Sequence, residues 1–248
     1  MGFFHAYLSE PIYNLLVFIY TTFPFEDIGI AIIILTLVIK LVLWPLTGKS
    51  LKGQRALQSL QPKIEELKKK YADNKEEMAK QMMALYKTEK VSPASSCLPM
   101  LVQLPILIAL YRVLLVGLKG GGDFTLYGFV TDPGTINHMM FGVINLASPN
   151  IPIAVLAGIF QYFQAKQLSH RRPPPALRQK EGAKDEDMMA AMNKSMMYFM
   201  PVITVVIGAT LPGGLALYWL VITILSLLQQ HLIFKKLHEE ESVTNASS

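Results

Sequence analysis

The side chain that most needs a chemical explanation is Lys40, which lies 12 residues into an apolar run at 28–47 and 7 residues before its end. A charge at the centre of a membrane span costs about 2.5–3.5 kcal/mol on insertion scales. Such residues face a protein interior or a water-filled cavity, or they reach the headgroups along their aliphatic stems. Helical rise puts Lys40 roughly 10 Å from the nearer surface, and position alone leaves both routes open. Arg112 is nearer the end of its own run, where reaching the interface is the simpler reading. Other polar groups recur at comparable depth: Thr36, one turn before Lys40; Gln103; Gln161 and Gln164, three residues apart and so on one helical face; and Tyr218 with Trp219. Singly each is ordinary, because Thr, Gln and Tyr hydrogen-bond between membrane helices and Trp favours interfaces. None of the apolar runs contains Asp or Glu, so Lys40 has no counter-ion within them. The set reads as a hydrated hollow whose positive charge awaits a negative group from outside. Covalent chemistry is not provided for: there is no H-E-x-x-H and no G-x-S-x-G, and His5, His138, His170, His231 and His238 do not fall at metal-ligand spacing. An enzyme is disfavoured, and no cofactor or metal is expected.

The elements that must position these groups follow from composition. A hydrophobic fraction of 52% and a mean hydropathy of +0.35 are high for a soluble protein. Crossing roughly 30 Å of hydrocarbon takes about 20 apolar residues in a helix. Five runs meet or approach that length: 28–47, 98–118, 151–168, 197–211 and 214–234. The fourth covers only about 22 Å, so it requires an earlier start, in the Met-rich stretch from Met188, or a thinner bilayer. The net charge of +5 is unevenly placed. Eleven of the 23 basic residues lie between Lys49 and Lys90, seven between Lys166 and Lys194, and two at Lys235 and Lys236. The connections on the other side hold only Lys119. The positive-inside rule then puts the amino terminus outside and the segments 48–97, 169–196 and 235–248 in the cytoplasm, which reads the basic charge as topology and not as nucleic-acid readout.

Between the runs, residues 10–24 are apolar but too short to span, and read as a helix in the outer interface, within an extracytoplasmic segment 1–27. The start of the chain lacks the basic region and small-residue cleavage site of a signal peptide, so the first span is expected to insert with its tail outside or to follow an upstream segment. Residues 48–97 predict two charged antiparallel helices: one through Leu67 with a bend at Pro62, a turn at 71–74, and a second from Lys75, with Asp73 and Glu76 at capping-box spacing. The connection 119–150 opens on Gly120, Gly121 and Gly122, followed by Asp123 and not by the Gly-Lys-Ser/Thr of a phosphate loop. The proline run and dense charge at 169–187 predict a mobile loop, and Cys97, the only cysteine, is a packing residue.

Several long segments resemble the YidC insertase family, bacterial with mitochondrial and chloroplast relatives: WPLT (44–47), LQPKIEELKKKY (60–71), MMALYKTEKVSP (82–93), CLPMLVQLPILIALY (97–111), LPGGLALYW (211–219) and QQHLI (229–233). They occur in unbroken order between about residue 10 and residue 237. The resemblance implies an all-α membrane protein: a five-transmembrane-helix core around a hydrophilic groove, open to cytoplasm and lipid, closed outside and covered by a mobile cytoplasmic helical hairpin. It implies a membrane insertase and chaperone that works without nucleotide hydrolysis in a bacterial plasma membrane. Nascent membrane proteins and the lipid bilayer would be its partners, with the ribosome and the Sec translocon beside them. Lys40 matches the family's groove Arg, keeping the charge but losing the planar fork that pairs carboxylates bidentately. Thr36, Gln161, Gln164, Tyr218 and Trp219 fall at groove-lining or substrate-contacting positions. The hairpin methionines Met78, Met82 and Met83 would give a substrate adaptable apolar contact. The residues before 28 leave no room for a large extracytoplasmic domain and hold no lipoprotein cysteine, and those after Lys236 are few and acidic, so departures from the family's pattern are expected there, with ribosome docking through the basic hairpin and the 169–187 loop. A small-solute transporter is the competing reading, set back by the lack of an internal repeat.

Overall fold

The computed structural model describes residues 2, 4–23, 26–92, 98–117, 124–169 and 197–246. Cys97, the glycine run 120–122, the proline-rich loop and the stretch from Met188 to 196 lie outside them. The regular structure of the described chain is helical apart from one small ribbon. A π-helical turn, His5–Ser9, leads into α1, Glu10–Thr22, and then come α2, Ile28–Ser59, α3, Gln61–Lys70, and α4, Lys75–Thr88. Next are α5, Leu98–Gly117, the strands β1, Met139–Met140, and β2, Ile144–Asn145, and α6, Ile151–Ser169. The chain closes with α7, Met197–Gly208, and α8, Gly213–Ala246. By length and composition α2 and α8 are apolar enough to cross a membrane, and Leu101–Gly117 and α7 are shorter apolar helices.

Where α2 begins is dictated by Asp27, whose carboxylate accepts the Ile30 N–H at 3.0 Å and so satisfies a donor that the first turn leaves free. Where it ends differs from the expectation. The apolar run stops at 47, but the helix continues for 32 residues in all, with Pro45 inside it. Pro45 removes a single backbone donor, and the turns beyond it are held from the side by Ser50 and Leu51, both buried. The break comes at Leu60, and Pro62 then occupies the first turn of α3, where a missing N–H costs nothing. The expected bend within one helix is therefore a boundary between two. α3 and α4 fold back on each other across the turn at 71–74, and Lys63 pairs with Glu89 at 2.5 Å across their far ends. The N-cap of α4 lies one residue later than the Asp73 spacing predicts: Asn74 accepts the Glu77 N–H at 3.0 Å.

The core lies where α1, α2, α5 and α8 meet. α1 does more than skirt it, because Tyr13, Leu16, Val17 and Tyr20 are all buried there against Ile28, Leu110, Leu114 and their neighbours. α6, α7 and α8 approach through small residues. A Cβ on Gly158 would stand 2.4 Å from Val205 Cγ2, and one on Gly208 3.0 Å from Ala154 Cβ. Such close approach is how helices gain dispersion contact where no hydrophobic force separates them from lipid. The outward faces are correspondingly apolar, with Leu41, Val42, Leu101, Ile159, Val202 and Leu232 exposed.

Candidate functional site

Lys40 is drawn inward and not to a surface: the residue is 5% exposed, and its Nζ donates to Ser226 Oγ on α8 at 2.8 Å. Ser226 in turn donates to the Ile222 carbonyl one turn earlier, at 2.7 Å, so its lone pairs are turned to the ammonium. One turn before Lys40, Thr36 is fully buried, and its hydroxyl donates to Ile32 O at 2.6 Å. Further along the same seam Thr47 meets Gln229, Oγ1 to Oε1, at 3.0 Å, and Gln229 Nε2 donates to the Trp44 carbonyl at 2.9 Å. The α2·α8 seam is thus a polar ladder inside an apolar bundle. Among the described residues no carboxylate pairs with Lys40; ion pairs such as Lys63–Glu89, Lys80–Glu77 and Lys235–Glu239 join exposed or half-exposed side chains. One acceptor leaves an ammonium with two further N–H groups to give.

The remaining expected site residues fall into separate sets. Gln103 on α5 donates to the Tyr218 hydroxyl on α8 at 2.6 Å, and Tyr218 is 1% exposed. Gln161 on α6 accepts from the Thr204 hydroxyl on α7. Gln164 is half-buried on the same helix, and Trp219 is half-buried against the core, its carbonyl accepting from Thr223 at 2.7 Å. Of the expected residues these contacts join Gln103 with Tyr218; Lys40 and Thr36 lie one turn apart on α2 but take different partners, and neither set is joined to Gln161 and Gln164. On the helical pair, Met78 and Met82 share a half-buried face of α4, while Met83 is exposed.

Sequence reasoning missed Ser226, Thr204, Thr47 and Gln229. The signal was present, since Tyr218, Ile222, Ser226 and Gln229 recur at spacings of four, four and three along one face of α8. Missed too was the stitching at the opposite end of the bundle. Asn14 donates to Thr125 O at 2.9 Å and accepts the Tyr127 N–H at 2.7 Å, and the Tyr20 hydroxyl accepts the Asn137 N–H at 2.9 Å. Gly213 and Gly214 donate to the carbonyls of Ser148 and Leu146, each at 2.9 Å. The segment 124–150 is in this way tied to α1 and α8, closing that end over the seam.

A family model described as 60Kd inner membrane protein matches residues 18–240. The chain belongs to this family. Its relatives include proteins named membrane protein insertase YidC. The one from Magnetococcus marinus is 36% identical over 97% of this chain, that from Fusobacterium nucleatum is 36% identical over 85%, and that from Geobacter metallireducens is 32% identical over 98%. The chain spans 38% of the length of the Magnetococcus protein, 39% of the Geobacter protein and 87% of the Fusobacterium one. In fold it is similar to a crystal structure of an active YidC insertase with the first transmembrane domain resolved, at a TM-score of 0.57 and 23% identity, over 92% of this chain and 46% of that one. In this YidC family setting, the α2·α8 seam lies wholly within the matched residues.

Proposed function

We propose that this protein is a membrane protein insertase of a bacterial inner membrane, which moves the short polar end of a nascent membrane protein outward and releases its apolar segment into lipid. The observation that carries the reading is the Lys40 ammonium, held by one hydroxyl in an apolar bundle without a carboxylate partner. A cation so placed is costly for a scaffold. It is useful where an acidic group arrives from elsewhere, because in a low-dielectric site the attraction is far stronger than in water. In this reading the five spans are 28–47, 98–118, 151–168, 197–211 and 214–234. The amino terminus is outside, and α3 and α4 form a cytoplasmic hairpin. Thr36, Lys40, Gln103, Gln161, Gln164, Tyr218 and Trp219 line a groove that water enters from the cytoplasm. Lys40 and Thr36 are covered in the conformation described, so uptake requires α2 and α8 to part along the ladder, exchanging Ser226 for a substrate carboxylate.

The hairpin would meet the substrate first through Met78, Met82 and Met83, whose flexible thioethers adapt to varied apolar segments. The short fourth run would thin the bilayer and shorten the remaining path. Burial of the substrate's apolar segment in lipid, at roughly 25 cal/mol per Å², would drive the step without nucleotide hydrolysis. Ribosome contact would fall to the eleven basic residues between Lys49 and Lys90, and action beside the Sec translocon is compatible with the same geometry. The test is insertion of a single-span substrate by purified protein in vesicles. Losing a charged hydrogen bond is worth about 1.5–3 kcal/mol, so Lys40→Ala is expected to slow insertion of an acidic tail about tenfold or more, with Lys40→Arg restoring it and a neutral tail little affected. Equal rates for Lys40→Ala and the parent on the acidic tail would rule out the charge-attraction step.

A further inference from the structure

The turn between β1 and β2 combines a strained backbone with side chains that gain little from the protein. Phe141 has φ 52° and Gly142 φ 68°. Glycine adopts such an angle freely, but for an aromatic residue it is a left-handed outlier. The strain is held in place: the Phe141 N–H donates at 2.5 Å to Asp27 Oδ2, the other oxygen of the carboxylate that caps α2. Yet the Phe141 side chain is 65% exposed and that of Val143 79% exposed. Strain that the surrounding structure enforces without a packing return marks a position kept for contact with something else.

The height of this turn is set by its neighbour. Met140 is buried over Gly29, where a Cβ would stand 2.3 Å from Met140 Cγ. Gly29 belongs to the first turn of α2, and the apolar run begins at 28. The ribbon therefore lies level with the end of the hydrocarbon-spanning part of α2. From 133 to 150 the chain contains no Asp, Glu, Lys or Arg, and the one carboxylate against the turn, Asp27, is already held by the N–H groups of Phe141 and Ile30.

We infer that the Phe141–Val143 turn is a lipid-docking tip, seating its two apolar side chains at the headgroup–acyl boundary of the leaflet opposite the basic segments. Lipid suits it better than a protein partner because the tip lies at the depth of that boundary and carries no charge or polar fork for directional pairing. The inference rests on the reading that the bundle spans a membrane, and the experiment separates the two. In a Cys97→Ser background, Val143→Cys and, as reference, Val206→Cys on the exposed face of α7 are labelled with an environment-sensitive fluorophore. The full chain is then placed in nanodiscs of phosphatidylethanolamine and phosphatidylglycerol carrying nitroxide lipids. Position 143 is expected to show blue-shifted emission quenched chiefly by headgroup nitroxide, and position 206 emission quenched chiefly by deep acyl nitroxide. Water-like, unquenched emission at 143 with quenching at 206 overturns the tip while leaving the spanning reading intact, and makes a protein partner the better occupant. Water-like emission at both positions sinks both. Phe141→Gly, which relieves the turn and removes the ring, is expected to abolish headgroup quenching at 143 without changing 206; unchanged quenching at 143 would remove Phe141 from the tip.

Discussion

Asn14 shows how much one polar side chain can hold. It is 2% exposed, and both ends of its carboxamide are given to the backbone of a segment more than a hundred residues away, at Thr125 and Tyr127. Asn14→Ala would take away the partner of the half-buried Tyr127 N–H and of the Thr125 carbonyl, at about 0.5–1.5 kcal/mol for each hydrogen bond. A lowered unfolding midpoint in detergent, read by near-ultraviolet circular dichroism, is the expected result; an unchanged midpoint would mean that water replaces the side chain. At this scale the sequence was only half legible. Lys40 stood out because its apolar surroundings make any charge an exception, and Gln103 and Tyr218 were noticed though not paired. Ser226 did not stand out, because a serine inside a membrane helix satisfies its own hydroxyl on the preceding turn and advertises nothing until a neighbouring helix supplies the ammonium.

Helices were more legible than their ends. The lengths of the apolar runs placed α2, α5, α6, α7 and α8, and the turn at 71–74 with a helix from Lys75 was expected as it occurs. The extent of α2 was hidden because hydropathy reports where lipid ends, whereas helical hydrogen bonding continues for as long as side chains find support. The ribbon at 139–145 was hidden because two strands of two residues each have too short a period to detect, and their pairing depends on Asp27 and Gly29 of a distant helix. Packing between elements gives a sharper test than their boundaries. Gly158→Val forces a branched side chain into Val205 and toward the Pro201 carbonyl, so α6 and α7 must separate or distort. Overpacking of this kind costs about 1–3 kcal/mol. The variant is expected to lose several degrees of thermal stability in detergent, whereas Gly128→Val, at a position with open space around it, is expected to lose none. Equal behaviour of the two would refute the close α6·α7 approach.

For the whole molecule, the asymmetry of charge and the asymmetry of structure coincide. The stitched segment 124–150 closes one end, and the Lys-rich α3 and α4, which follow the far end of α2, lie at the other. If the basic end is cytoplasmic, cysteines placed at 128 in a Cys97→Ser background should react with a membrane-impermeant maleimide from outside intact spheroplasts, and cysteines at 84 only after lysis. The reverse pattern would invert the topology and with it the direction of transport.

The polar ladder also has a history in time. Lys40 waits for Ser226 across 186 residues of chain, Thr47 for Gln229 across 182, and Gln103 for Tyr218 across 115. Every one of these partners lies on α8, which leaves the ribosome after the helices it pairs with, because chains emerge amino terminus first. Until that helix arrives Thr47 can bond only the carbonyls of its own helix, while the Lys40 ammonium and the Gln103 carboxamide lack the partners they have in the finished bundle. The arrival of α8 supplies all three partners, so these pairings belong to a late step in assembly of the bundle, after α2 and α5 have formed.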